Sequence, residues 1–151
     1  MSTKLINGQR VALSAAEQDA LDAARTPSPQ RARRQVNAER DRRINAGFTF
    51  DGVAYQSGPE DRENIQGAYS SALTAILVDG AQPGDLRWTD PDNDFEWIAV
   101  DNSMVPMDAH QVLAFGIAAK EHKQNHIFAA RALKDMDPIP SDFATNEAYW
   151  P

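Results

Sequence analysis

The sequence contains no cysteine among its 151 residues. This absence excludes disulfide bonds, thiolate metal ligands and a cysteine nucleophile, and it suits a protein made in a reducing cytoplasm. Long hydrophobic runs are also missing, because the longest, near residues 112–119, is far below the roughly 20 residues that a membrane helix needs. The first residues, Met1 to Leu5, lack the apolar segment of a signal peptide. We therefore expect neither a membrane protein nor a disulfide scaffold.

Charge is distributed unevenly along the chain. The net charge is −7, but residues 1–46 carry nine Lys/Arg and five Asp/Glu, whereas residues 47–151 carry six and seventeen. An acidic body repels nucleic acid, while the basic first segment favours an acidic partner. Nucleic acid is therefore not an expected partner. The length allows one compact core, and the balance of 42% hydrophobic and 25% charged residues is that of a folded protein.

The first 46 residues predict a hairpin and two helices. Short apolar runs flank Asn7-Gly8, which tolerates the positive φ angles of a tight turn, and Ser14 with Glu17 has the spacing of a capping box. Pro27 ends the first helix near Ala24, and a second helix runs from a Ser28 cap to Gly47. Its apolar positions are few, so we expect an arm ordered by a partner or by neighbouring copies.

Residues 47–136 predict an α+β domain. Alternation around Asp51-Gly52 indicates a two-residue hairpin whose register places Phe48, Phe50, Val53 and Tyr55 on one face. That face is predicted to pack on a helix at about residues 59–78, whose apolar stripe includes Leu73 and Leu77. Strands are predicted at 86–88, 95–100 and 104–107, before a long helix capped by Asp108 with Gln111. The predicted fold is small antiparallel hairpins packed against two amphipathic helices, with an N-terminal hairpin and helical arm.

Residues 137–151 hold three prolines and several aromatic residues, which indicates a tail that docks on a surface. The predicted division is thus an arm over 1–46, a domain over 47–136 and a tail over 137–151. The arm and the tail supply the residues that we predict to bind a partner, which are Arg31, Arg34, Val36, Arg40, Arg43, Phe143, Tyr149 and Trp150.

Residue patterns for catalysis and for metal binding are weak. The acidic run Asp90 to Asp94 resembles a calcium loop, but it lacks the glycine at position six and the final glutamate, and a solvated turn is favoured. His122 and His126 could face one metal ion, although a polar helix face is the simpler interpretation. No phosphate loop or nucleophile elbow is present. We predict no enzyme, no cofactor and no metal.

Two further alternatives remain open at this point. The arginines of residues 31–43 could contact nucleic-acid phosphate, but Glu39 and Asp41 interrupt them and no aromatic residue is interleaved for base stacking. Trp88 and Trp97 could line a carbohydrate groove, although tryptophans on strands that face a helix are more often core residues.

Several stretches carry a resemblance to a known family. They are residues 47–52, residues 61–68, Leu86-Arg87-Trp88, and the region from Val105 through Phe128 to Leu133. About residues 40–136 resemble an uncharacterised domain of proteins encoded by tailed bacteriophages and prophages, often beside tail-fibre genes. The resemblance implies a phage-tail context and supplies no catalytic residues.

The resemblance and the arm together lead to a structural hypothesis. We expect a virion component of the phage tail, made in the host cytoplasm, that joins tail or fibre proteins through its arm and tail and is present in several copies. One alternative is a tail-fibre assembly chaperone that leaves the fibre. A second alternative is an enzyme that acts on the host envelope.

Overall fold

The computed structural model describes residues 2–6, 8–25 and 28–151. Its elements follow one another as short hairpins between longer helices. In chain order they are β1 (Thr3–Ile6), β2 (Gln9–Ala12), α1 (Ala15–Arg25), α2 (Pro29–Asn45), β3 (Phe48–Phe50), β4 (Val53–Tyr55), α3 (Pro59–Thr74), β5 (Glu96–Ile98), β6 (Met104–Pro106) and α4 (Ala109–Asp135). The fold is α+β, as predicted. The expected turn residue Asn7 and the expected break at Thr26-Pro27 lie outside the described residues.

Three antiparallel two-stranded hairpins make up the β-structure of the described part of the chain. The hairpin of β3 and β4 pairs Phe48 with Tyr55 and Phe50 with Val53, which is the predicted register. The backbone φ angles of the turn are +49° at Asp51 and +78° at Gly52, as a type I′ turn requires. The predicted face is therefore confirmed, with Phe48 and Tyr55 buried and Phe50 and Val53 half-buried.

Phe115 of α4 is the centre of the first hydrophobic cluster. Its ring is fully buried, and its centroid lies 5.3 Å from that of Phe48, 4.8 Å from that of Tyr55 and 5.1 Å from that of Trp97. Ile65 and Ala72 of α3 complete the cluster from the other side. The β3–β4 hairpin thus packs on α4 as well as on the α3 partner that the sequence predicted.

Helix α3 is shorter than predicted and changes geometry near its end. The α-helix stops at Thr74, a π-helical turn covers Ala75–Asp79, and Gly80 closes it with a φ of +74°. Leu77 is 74% exposed and Leu73 is 37% exposed, so their predicted place in the core is wrong.

The predicted strand at residues 86–88 is also wrong, because these residues form turns instead. Trp88 still packs into the first cluster, where its ring centroid lies 4.8 Å from that of Phe95. Its indole N–H donates to the carbonyl of Met107 at 3.0 Å. Trp88 and Trp97 therefore both pack against the core, and neither forms the wall of a carbohydrate groove.

Helix α4 is the longest element and touches both hydrophobic clusters. The predicted capping pair is present: Gln111 N–H donates to Asp108 Oδ1 at 2.8 Å, and Asp108 N–H donates to Gln111 Oε1 at 3.0 Å. The first half of the helix supplies Phe115 to the first cluster, and its second half supplies Ala130 and Leu133 to a second cluster. Among the described residues, no helix has both the length and the apolar character to cross a membrane.

Candidate protein-binding surfaces

Helix α2 begins and ends where the sequence predicts. Ser28 caps it, since its Oγ accepts a hydrogen bond from Arg31 N–H at 3.2 Å, and Pro29 occupies the first turn. The chain then turns at Gly47, whose φ is +107°. A Cβ atom there would lie 2.6 Å from the carbonyl oxygen of Tyr55, so a side chain would displace the β3–β4 hairpin. Gly47 therefore fixes how α2 enters the domain.

The apolar stripe of α2 is buried by the chain itself. Val36 is fully buried and joins Ala130, Leu133, Phe143 and Trp150 in the second cluster. The expectation that a partner orders this helix is therefore corrected, because α4 and the C-terminal residues cover the stripe. The second cluster draws residues from all three of the predicted segments, 1–46, 47–136 and 137–151.

Arg43 ties α2 to the C-terminal residues. Its Nε donates to Glu39 at 2.7 Å, its Nη1 and Nη2 donate to the two Glu147 oxygens at 2.6 and 2.8 Å, and its Nη2 also reaches the carbonyl of Ala144 at 3.2 Å. The guanidinium carbon lies 4.9 Å from the ring centroid of Trp150. The Arg43 guanidinium holds the pKa of the Glu147 carboxyl below its usual value. Because the Arg43 guanidinium contacts both the Glu147 carboxylate and the Trp150 ring, it fixes the C-terminal residues in place.

The eight residues predicted to bind a partner fall into two groups. Val36, Phe143 and Trp150 are buried and Tyr149 is half-buried, so the predicted docking surface of the tail is the chain's own second cluster. The other group is the four arginines, of which Arg43 and Arg40 make intramolecular ion pairs, with Glu39 and Glu147 and with Asp41 respectively. Arg31 and Arg34 are exposed near the start of α2. Partner binding by these arginines stays a prediction.

Residues 2–6 and 8–25 form a surface that belongs to the predicted arm, although none of them is among the residues predicted to bind a partner. The β1–β2 hairpin and α1 constitute this front unit, held together by an ion pair between Lys4 and Glu17 and by the Ser14–Glu17 capping box. The pKa of Glu17 is lowered to about 2, first by its hydrogen bond from Lys4. No residue of the front unit belongs to either hydrophobic cluster. The short apolar runs indicated strands, but only the structure reveals how exposed these residues are within the described part of the chain.

The exposed apolar residues of the front unit lie mainly on the hairpin. Leu5 is 70% exposed and pairs with Arg10 on the face opposite Lys4, while Ile6 and Val11 are 46% and 41% exposed on the Lys4 face. A two-stranded hairpin by itself is marginally stable in water. This unit therefore presents open strand edges together with uncovered apolar side chains.

The two histidines of α4 lie between the clusters. His122 stacks on Phe48 with centroids 5.9 Å apart, His126 stacks on Trp150 at 6.1 Å, and the two imidazoles are 4.6 Å apart. His122 Nε2 lies 3.3 Å from the carbonyl oxygen of Ile44, and burial lowers the pKa of His122. Within the described residues, no group of three or more His, Asp or Glu side chains is placed to hold a metal ion.

The acidic run at residues 90–94 forms a solvated turn. Asp90 accepts hydrogen bonds from Asp92 N–H at 2.9 Å and from the Asn93 amide at 2.9 Å, and Asp94 pairs with Arg87 at 2.9 Å. These bonds occupy carboxylate oxygens within the turn itself, as short polar turns do.

Comparison with known proteins identifies a family. The family model described as "Domain of unknown function (DUF4376)" matches residues 27–149. No curated protein and no solved structure matches the chain. The matched segment includes α2, the first cluster, the second cluster except Trp150, and most of the C-terminal residues, and it leaves out the front unit.

Proposed function

Since the chain belongs to the family of the domain of unknown function DUF4376, we propose that this domain is the folded body of a structural protein of a bacteriophage tail, which attaches to a neighbouring tail or fibre protein. The tail context rests on the sequence resemblance of residues 47–52 and 128–133 to proteins encoded by tailed phages. Attachment, rather than catalysis, is the action that the surface of the molecule favours.

The observation that carries the proposal is the uncovered front unit. Residues 2–25 have their own hairpin, cap and helix, yet α1 buries no residue and Leu5 is 70% exposed. Open strand edges next to exposed apolar side chains are the features by which one chain adds a strand to another. The front unit is therefore the proposed attachment element, in place of α2 and the C-terminal tail.

Exposed arginines extend the proposed attachment surface. Arg31 and Arg34 lie on the first turns of α2, just after the front unit in the chain, and the ion pairs of the described residues do not include them. A partner with acidic residues beside an apolar strand would satisfy both parts of this surface. Several copies are proposed because a symmetric tail repeats each attachment site.

Two matched variants test the attachment element. Leu5→Asp places a carboxylate on the exposed hairpin, and Leu77→Asp does the same on the body, where Leu77 is 74% exposed. A phage that lacks the gene would be supplied with each variant, and purified particles would be analysed by quantitative mass spectrometry. We expect the wild type and Leu77→Asp in the particles and a marked loss of Leu5→Asp.

Other outcomes would overturn the proposal in different ways. If the wild-type chain is absent from mature particles but the fibre fails to trimerise without it, the protein is an assembly chaperone. If both variants enter the particles equally, attachment does not use the front unit. Circular dichroism of each purified variant verifies that the body remains folded.

A further inference from the structure

A basic groove crosses the face of the molecule where α2, α3 and α4 meet. One cavity of about 200 Å³ lies between α3 and α4, with Tyr69 and Lys120 in its lining. A second, more open cavity of about 500 Å³ adjoins it and extends to α2. Arg62 and Lys123 line both, so the two cavities form one continuous surface, which we call the α3–α4 groove.

The cations of this groove stand out against an acidic body. Residues 47–151 contain only six Lys/Arg, and three of them, Arg62, Lys120 and Lys123, line the groove. The other three are engaged elsewhere, in contacts of Arg87 with Asp94, Arg131 with Asp135, and Lys134 with Asn37. Half of the positive charge of this segment is therefore gathered at one place.

These three cations have no acidic partner within the described part of the chain. The side chains of Lys120 and Lys123 take part in none of its ion pairs or hydrogen bonds. Arg62 donates through Nη1 to neutral oxygens only, Asn45 Oδ1 at 2.9 Å and the carbonyl of Ser57. Those bonds hold the guanidinium while its Nε and Nη2 remain available for a planar carboxylate.

The floor of the groove is apolar and close to the backbone. Ile65 and Ala119 line it, and α3 crosses α4 so closely at Gly116 that a Cβ atom there would lie 2.7 Å from the Tyr69 ring. Asp41 is the carboxylate among the described lining residues, and it pairs with Arg40 at 2.7 Å. A site with an apolar floor and a rim of unpaired cations is complementary to carboxylates carried on an apolar segment.

We propose that the α3–α4 groove binds an acidic peptide segment of a protein partner, with its carboxylates on Arg62, Lys120 and Lys123 and its apolar side chains on the floor. This inference rests on the proposed function in that the occupant is a protein, and it gives the chemistry of a second contact, separate from the front unit. A nucleic acid is disfavoured because its continuous row of phosphates would extend beyond the three cations onto the surrounding acidic body, whereas a short segment can place its few carboxylates on the cations alone.

Peptide binding to the full-length chain tests the inference. The probe is a short fluorescein-labelled peptide of glutamate and leucine, followed by fluorescence anisotropy, with a peptide in which glutamine replaces every glutamate as comparison. We expect binding of the glutamate peptide only, weakened by added salt. The variant Lys120→Glu/Lys123→Glu should weaken it by roughly tenfold or more, since two attractive charge pairs become repulsive.

A second double variant controls for net charge. Arg33→Glu/Arg131→Glu changes the charge equally, but neither residue lines the groove; Arg33 precedes Ile44 by eleven residues, or about 16 Å along the helix. It should bind the peptide like the wild type. The variant Arg62→Lys keeps the charge and removes the planar fork, and it should weaken binding less than the lysine double variant.

Several results would overturn the inference. They are absence of peptide binding, equal binding by both double variants, displacement of the peptide by inorganic phosphate at a similar concentration, or tighter binding of a single-stranded oligonucleotide at the same residues. A chain found in phage particles that fails the peptide assay would overturn this inference alone. A chain that binds the peptide but is absent from particles would overturn the proposed function alone.

Discussion

Helices α1 and α2 both start at a serine cap, but only the more polar one is built into the body. Helix α1 has six apolar residues among 11, and none is buried. Helix α2 has four among 17, and Val36 and Ile44 are almost completely buried. The number of apolar residues therefore does not decide which helix is integrated. The difference lies in what the rest of the chain offers to each helix.

Helix α2 is held by polar contacts that are directed at defined partners. Besides burying two apolar residues, it contacts α4 through Asn37, which accepts from Lys134 at 2.7 Å, and contacts the C-terminal residues through Arg43. A helix with few apolar residues can be held on the body when such bonds fix its orientation. Each charge-assisted bond adds to the stability that burial of the apolar residues provides. The front unit lacks this complement, and the following predictions test the contrast.

The largest effect is expected in the first cluster. Phe115→Ala removes the ring that contacts Phe48, Tyr55 and Trp97, and should lower the free energy of unfolding by about 3–5 kcal/mol. Leu5→Ala in the front unit should change it by less than about 0.5 kcal/mol. Urea denaturation measures both. Similar values for the two variants would contradict the claim that the front unit is uncovered.

The next effect tests whether the tail belongs to the fold. Trp150→Ala should cost about 3 kcal/mol, because it empties part of the second cluster and removes the indole N–H that donates to the carbonyl of Phe143 at 2.7 Å. Tyr149→Ala at the edge of the cluster should cost less. Thermal unfolding compares them. If Trp150→Ala unfolds at the same temperature as the wild type, Trp150 does not stabilise the fold and is available to bind a partner.

A smaller loss of stability is expected at Arg43, and its neighbour Arg42 serves as the control. Arg43→Ala should lower the free energy of unfolding by about 1–2 kcal/mol, because it breaks the bonds to Glu147 and to the carbonyl of Ala144. Arg42 is 62% exposed and, among the described residues, forms its ion pair with Glu39 alone, so Arg42→Ala should have no measurable effect. Equal losses for the two variants would mean that the charge of α2, rather than the Arg43 fork, stabilises the tail.

The free energy of unfolding should depend on pH through His122, which lies between the two clusters. Burial lowers the pKa of His122, with His126 and Arg62 acting in the same direction, from an ordinary value of 6.5. The unfolded chain then binds the proton more readily, so stability is complete above pH 6.5 and falls as the pH drops through the folded-state pKa. Urea midpoints across this range measure it. His122→Gln should flatten the dependence there.

The smallest effect is expected from removing residues 1–25. The midpoint of thermal unfolding of the body should change by no more than about 2 °C, because residues 2–25 contribute to neither cluster. In the full-length chain, amide hydrogens of the front unit should exchange faster than those of α2. A large loss of stability on truncation would make the front unit part of the body.

Local signals in the sequence identified much of the fold. Asp51-Gly52 predicted the β3–β4 hairpin, and Ser14 with Glu17 and Asp108 with Gln111 predicted two helix starts, because each depends on bonds within four residues. Long-range contacts were not predictable in this way. Arg43 meets Glu147 at a separation of 104 residues, and no local pattern gives the surface on which α2 packs.

The wrong predictions have the same origin. Leu86-Arg87-Trp88 alternates like a strand, but its tryptophan is fixed by a side-chain bond to Met107 and not by a strand partner. Leu73 and Leu77 are apolar at helical spacing, but the side of α3 that the rest of the chain covers is the one with Ile65 and Ala72. The α3–α4 groove was invisible too, since Arg62 and Lys123 are brought together only by the helix crossing.

Helix α4 runs as a single rod of 27 residues, or about 40 Å, beneath both clusters. A displacement of residues 143–150 would be transmitted to Phe115 along this helix, on which His122 and His126 lie between the two clusters. Loss of packing around Trp150 should therefore also weaken the packing around Phe115, because one helix carries both clusters.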